Sequence, residues 1–143
     1  MTPNAARIAE IDIQLSQLRA QIENATSERS RVRECLEVLL NVKLELVQIF
    51  NNYHNFPAEY GKLHEFVYSS QFDGGVRDDV ENCLNRIRGN LETVELHHKE
   101  HLETIKNRIS SEENRDTTLT ITINSLDNQV SNLELERRLL ILG

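Results

Sequence analysis

From Ile8 to Tyr53 the chain steps by three and four residues without a break, through Ile11, Leu15, Leu18, Ile22, Ala25, Arg29, Val32, Leu36, Leu39, Lys43, Leu46 and Phe50. Only Arg29 and Lys43 are polar in that row. An alternation of three and four keeps one stripe on one side of a helix and has no counterpart in a strand, so this stretch predicts a long α-helix with a single seam. A straight helix over the run would be about 70 Å long at 1.5 Å per residue. Pro3 suits its first turn, where a missing N–H has no intrahelical acceptor. Residues 38–47 place apolar side chains around most of the helix (Val38, Leu39, Leu40, Val42, Leu44, Leu46 and Val47), which requires more than one neighbour.

A second arm follows Gly74 and Gly75. Its seam reads Val76, Val80, Leu84, Ile87, Leu91, Val94, His98, His101 or Leu102, Ile105 and Ile109, then Leu119, Ile123, Leu126, Val130, Leu133 and Leu140. Two patches compete with a continuous helix: Ser110-Ser111-Glu112-Glu113 has the form of a capping box, and residues 117–123 alternate Thr with Leu or Ile as a strand does. The rhythm on both sides and the lack of a pairing strand favour helix. Every aromatic residue (Phe50, Tyr53, Phe56, Tyr60, Phe66, Tyr68 and Phe72) falls in the central window between the arms. Pro57 and the Asn-rich residues 51–55 end the first helix, residues 58–68 can form a short helix, and Gly74 and Gly75 offer positive φ for the turn. Tyr60, Phe66 and Phe72 are read as the filling of this tip, the alternative being an exposed docking site.

The expected fold is therefore all-α: one domain over residues 1–143, a long antiparallel, coiled-coil-like helical hairpin with a short helix and an aromatic cluster at the tip. The arms span 3–54 and 76–142, and the tip spans 55–75. If Tyr53 lies near Val76, facing residue numbers sum to about 129, Ile8 sits beside Ile121, and the last dozen residues overhang. That register keeps Cys35 and Cys83 too far apart for a disulfide, as buried thiols. It also sets Glu34 and Glu37 near His97 and His101, which are spaced to share a metal ion, although a solvated helix face is the simpler reading. Arg29, Lys43 and His98 on the seams read as determinants of register or oligomeric state, or as partners of acids on another helix.

A formal charge of -7 opposes binding to nucleic acid. No apolar run is long enough to span a bilayer, and the first residues lack the pattern of a signal peptide, so a cytoplasmic chain without membrane insertion is expected. No phosphate-cradling glycine loop or nucleophile-base arrangement is present, and neither catalysis nor a cofactor is expected.

The helix, the Phe72-Asp73-Gly74 turn and the second helix resemble the Trp-Xaa-Gly helical-hairpin superfamily of type VII secretion, with Phe in place of the signature Trp. Residues 72–80, followed by Leu84, Ile87 and Leu91, are similar to the small helical proteins that accompany LXG-type toxins. The resemblance implies an adaptor or targeting chaperone that binds the helical domain of a larger, toxin-like protein, assists its export and can leave the cell with it. No Tyr-x-x-x-Asp/Glu export signal follows the second helix. Energetics point the same way, because an isolated two-helix hairpin buries one stripe per helix against the entropy of every ordered residue. The expected contact residues are Leu119, Ile123, Leu126, Val130, Leu133 and Leu140. The alternative is a homo-oligomer in which two hairpins form a four-helix bundle.

Overall fold

A computed structural model of the chain describes residues 2–54, 61–62, 65 and 74–143, and for Tyr53 and His54 the backbone alone. Every described residue except Thr2 and Gly143 is helical. The two long helices are α1 (Pro3–His54) and α2 (Gly74–Leu142), and they pack against each other. Gly61, Lys62 and Glu65, inside the expected short helix, are helical too. Tyr60, Phe66 and Phe72, expected to fill the tip, lie outside the described residues, as do Phe56 and Tyr68.

The start of α1 follows from two residues. Thr2 accepts the Ala5 N–H on its hydroxyl oxygen at 3.1 Å and the Ala6 N–H on its carbonyl at 3.0 Å, so the helix is capped immediately before Pro3. Gly74 and Gly75 behave differently from expectation. They are the first residues of α2, and no described glycine has positive φ. The first turn of a helix holds unbonded N–H groups in any case, so glycine is accommodated there without a left-handed bend.

The doubtful stretch near residues 110–125 is continuous helix. Thr117 donates its hydroxyl to the Glu113 carbonyl at 3.1 Å, as Thr104 does to Glu100 and Thr93 to Gly89 at 3.0 Å each. Threonine can sit mid-helix because its hydroxyl finds the carbonyl one turn back.

Packing divides the chain into two units, Met1–Val38 with Ile109–Gly143, and Leu39–Arg108. In the first unit Ile11, Leu15, Ala25 and Val32 of α1 are buried with Ile109 and Ile123 of α2. The intervening row positions Ile8, Leu18, Ile22, Arg29 and Leu36 are half-buried. Asp12 faces Arg137 and Arg33 faces Asp116, so facing residue numbers sum to about 149 and the helices run antiparallel. The expected sum of 129 is overturned. Ile8 does not lie beside Ile121, and the last dozen residues do not overhang, since Arg7 reaches Glu136. Hydrophobic spacing is the same in every register and cannot choose among them. The charges can: a sum of 129 would have set Arg7 opposite Thr122 and Asp12 opposite Thr117, whereas the observed alignment gives both an opposite charge.

In the second unit Leu39, Lys43, Leu46 and Phe50 of α1 are half-buried and Leu84 of α2 is buried. Lys99 Nζ lies 5.8 Å from the centre of the Phe50 ring, a cation–π distance. That contact puts this end of α1 beside the middle of α2, so Tyr53 is not level with Val76. The α2 seam here passes through Leu91, Glu95, His98, Leu102 and Ile105, while Val76, Ile87 and Val94, expected on it, are exposed. Glu95 continues the three-four rhythm that Ile109 sets from below, and Val94 stands one residue off it.

Candidate interaction surfaces

The seam of the first unit contains more than hydrophobic residues. From Ile109 the α2 row runs through Glu112, Asp116, Leu119, Ile123, Leu126, Val130, Leu133, Arg137 and Leu140, all buried or half-buried. Glu112 is only 6% exposed. Of the residues expected to contact a partner, Ile123 is buried, and Leu119, Leu126, Val130, Leu133 and Leu140 are half-buried on this row, where they hold α2 against α1.

Two flanks border the seam. On one, Arg137 donates to Asp12 from Nε at 2.7 Å and from Nη2 at 3.5 Å, Arg19 donates to Glu134 at 2.8 Å, and Arg33 donates to Asp116 at 2.8 Å. Arg29, at a seam position, reaches the Thr120 hydroxyl at 3.5 Å rather than an acid. On the other flank Arg7 makes a bidentate pair with Glu136, at 2.8 and 3.1 Å, while also touching Glu10 at 3.0 Å. Arg115 pairs with Glu28 farther along it.

These pairs shift protonation in the direction that charge-assisted hydrogen bonds require. The hydrogen bond from Arg137 holds the Asp12 carboxyl below its usual range, against a smaller opposing effect of desolvation. Arg7 does the same to Glu136. The guanidinium groups of Arg7, Arg115 and Arg137 are held protonated more firmly, chiefly by hydrogen bonds to Glu136, Glu28 and Asp12 respectively.

Each flank of this unit carries a groove. A groove of about 370 Å³ lies among Asp12, Arg19, Glu134, Arg137 and Arg138 beside Leu15. Another, of about 410 Å³, is lined by Gln14, Gln17, Gln21, Gln129 and Asn132 over Leu18 and Leu133. The two have different chemistry: one is ionic, the other made of carboxamides.

Outward from the seam stand apolar side chains that the hairpin does not cover. In the first unit Leu135, Leu139 and Leu142 step by four and three along α2, and Leu139 is 61% exposed. In the second unit Leu40 and Leu44 are exposed and Val47 half-buried on one α1 row. The all-round apolar stretch of α1 is thus only partly covered by α2. Elsewhere His97 Nδ1 lies 3.6 Å from Glu100 Oε2, and no group of three metal-ligating side chains occurs among the described residues. Arg33 is opposite Asp116, so Glu34 and Glu37 face the stretch of α2 around residues 112–115. Cys35 is half-buried and Cys83 exposed, both as free thiols, so the expectation that both are buried is corrected. Among the described residues no helix is long and apolar enough to cross a membrane.

Comparison of the chain with protein-family models, curated proteins and solved structures finds no match. The surfaces therefore have to be interpreted from their own chemistry. Sequence reasoning missed Glu95, Glu112 and Asp116 as seam residues because it followed hydrophobic positions, although strict three-four stepping through the acids would have found them. It also missed the carboxamide flank, whose signal is the near absence of charge: residues 117–133 contain one charged side chain, Asp127.

Proposed function

We propose that this chain is a non-enzymatic helical adaptor that binds a helical region of a larger protein and keeps that protein soluble and competent for export. The observation that carries this reading is the outward apolar row Leu135, Leu139 and Leu142, which the chain's own seam does not use. Contiguous apolar side chains on an exposed helix face are a usual mark of helix docking, and burying them contributes about 25 cal/mol per Å². The exposed Leu40 and Leu44 in the second unit supply a separate surface of the same kind.

The resemblance of the Phe72-Asp73-Gly74 sequence to the Trp-Xaa-Gly signature supports a more specific partner, the N-terminal helical domain of an LXG-type toxin. In that reading the chain acts as a targeting subunit in the cytoplasm, and the partner carries the export signal. The seam residues Leu119, Ile123, Leu126, Val130, Leu133 and Leu140 then serve binding by holding α2 in place, and the leucines on its outer face make the contact.

Affinity purification of the chain from its native host, with the bound proteins identified by mass spectrometry, tests this reading. A larger protein with a helical N-terminal region is expected with the wild type and lost with Leu135→Glu/Leu139→Glu, a variant that keeps its helical circular dichroism. Recovery of the same protein with both would contradict the assignment of the outer row.

A further inference from the structure

The carboxamide groove belongs to a longer surface. On α1 the row from Arg7 to Glu28 continues from Glu10 through Gln14, Gln17, Gln21 and Asn24, and on α2 the row from Arg115 to Glu136 contains Thr118, Thr122, Ser125, Gln129 and Asn132. Both rows step by three and four, so each lies along one side of its helix. Charge appears only toward the ends, where Arg7 pairs with Glu136 and Arg115 with Glu28. Inward of Glu10, which also pairs with Arg7, the flank presents only amides and hydroxyls as far as the Arg115–Glu28 pair, in a chain of which 27% is charged.

We propose that this uncharged flank is where a second copy of the chain docks, flank against flank about a two-fold axis. A carboxamide both donates and accepts hydrogen bonds, so a row of them is complementary to an identical row, which is what an isologous contact demands. Removing neutral amides from water and bonding them to one another costs far less than desolvating ions. The end charges are paired within each chain, Arg115 with Glu28 and Arg7 with both Glu136 and Glu10, and would form the rim. The surface is also large enough. Twenty-one residues of rise give about 30 Å, and two helices side by side about 20 Å, or roughly 600 Å² per copy and 1,200 Å² for the pair, at the lower limit of specific interfaces. The product is a four-helix arrangement, and its outer rows remain available to the adaptor contact, so the two readings stand or fall separately.

Sedimentation velocity of the full chain over a wide concentration series tests the proposal. The wild type is expected at twice the 16.5 kDa chain mass. Two variants, Gln17→Lys/Gln129→Lys and Gln17→Glu/Gln129→Glu, should each run at the single-chain mass with unchanged helical circular dichroism, and mixing them should restore the dimer because opposite charges then meet. Ser16→Glu/Ser131→Glu, on the ionic flank, should leave the dimer intact. A wild type that remains monomeric overturns the proposal. So does an oligomer that both charged variants retain, since association would then use another surface. Restoration of the dimer on mixing also shows that both charged variants have kept their fold.

Discussion

Ile11 and Ile13 stand two residues apart on α1 and face opposite ways, 0% and 60% exposed respectively. The sequence row that steps by three and four includes Ile11 and omits Ile13, and this separation of inside from outside was legible from spacing alone. It makes a direct comparison. Ile11→Ala should lower the free energy of unfolding by about 2–4 kcal/mol, through lost burial and the cavity left behind. Ile13→Ala should change it by less than about 0.5 kcal/mol, both read from urea denaturation. The acid response is also set by individual residues. Asp12 and Glu136 have carboxyl groups held below their ordinary range by Arg137 and Arg7. Their stabilising effect is therefore fully present above the ordinary carboxyl range and is lost as pH falls through the lowered values. Thermal melting between pH 7 and pH 2 should show a decline, and Arg7→Ala/Arg137→Ala should flatten the part of it that belongs to these two acids. An identical pH dependence in wild type and variant would contradict that assignment.

At the scale of the element, the existence and seam of α1 were readable because nearly every seam position is apolar and the spacing never breaks. The seam of α2 was only partly readable. Glu95, Glu112 and Asp116 occupy seam positions that a search for hydrophobic residues passes over, and Val94 drew the reading one residue away from Glu95. Strand-like alternation at residues 117–123 did not make a strand: the Thr117 hydroxyl bonds within the helix, and among the described residues there is no strand to pair with. These placements predict that two neighbouring changes on α2 act differently. Ile123→Glu puts a charge into the seam and should reduce helical ellipticity and lower the melting temperature of the isolated chain. Leu139→Glu changes an outward leucine and should leave both nearly unchanged while weakening capture of the partner. Equal loss of helicity in the two variants would contradict the inward and outward assignment.

At the scale of the whole molecule, the alignment of the arms was the least legible property. A repeat of three and four fits itself at many offsets, so periodicity supplied two helices and a hairpin but no unique alignment, and the expectation that set Tyr53 level with Val76 was about 20 residues off. The cross-helix ion pairs select the alignment, and individually weak exposed pairs can do so because they need only discriminate between registers of similar hydrophobic burial. Both flanks of the first unit depend on this choice: the carboxamide flank and the ionic flank exist as described only if Asp12 faces Arg137. The direct test is a distance. Spin labels at Ser16→Cys and Ser131→Cys, with Cys35→Ser and Cys83→Ser and dilution by unlabelled chain, should lie about 15–20 Å apart by double electron–electron resonance, as labels on helices with axes 8–10 Å apart require. A mean distance of about 30 Å or more, the result of an alignment that leaves the labels about 18 residues apart at 1.5 Å each, would contradict the observed register and with it both flanks built on it.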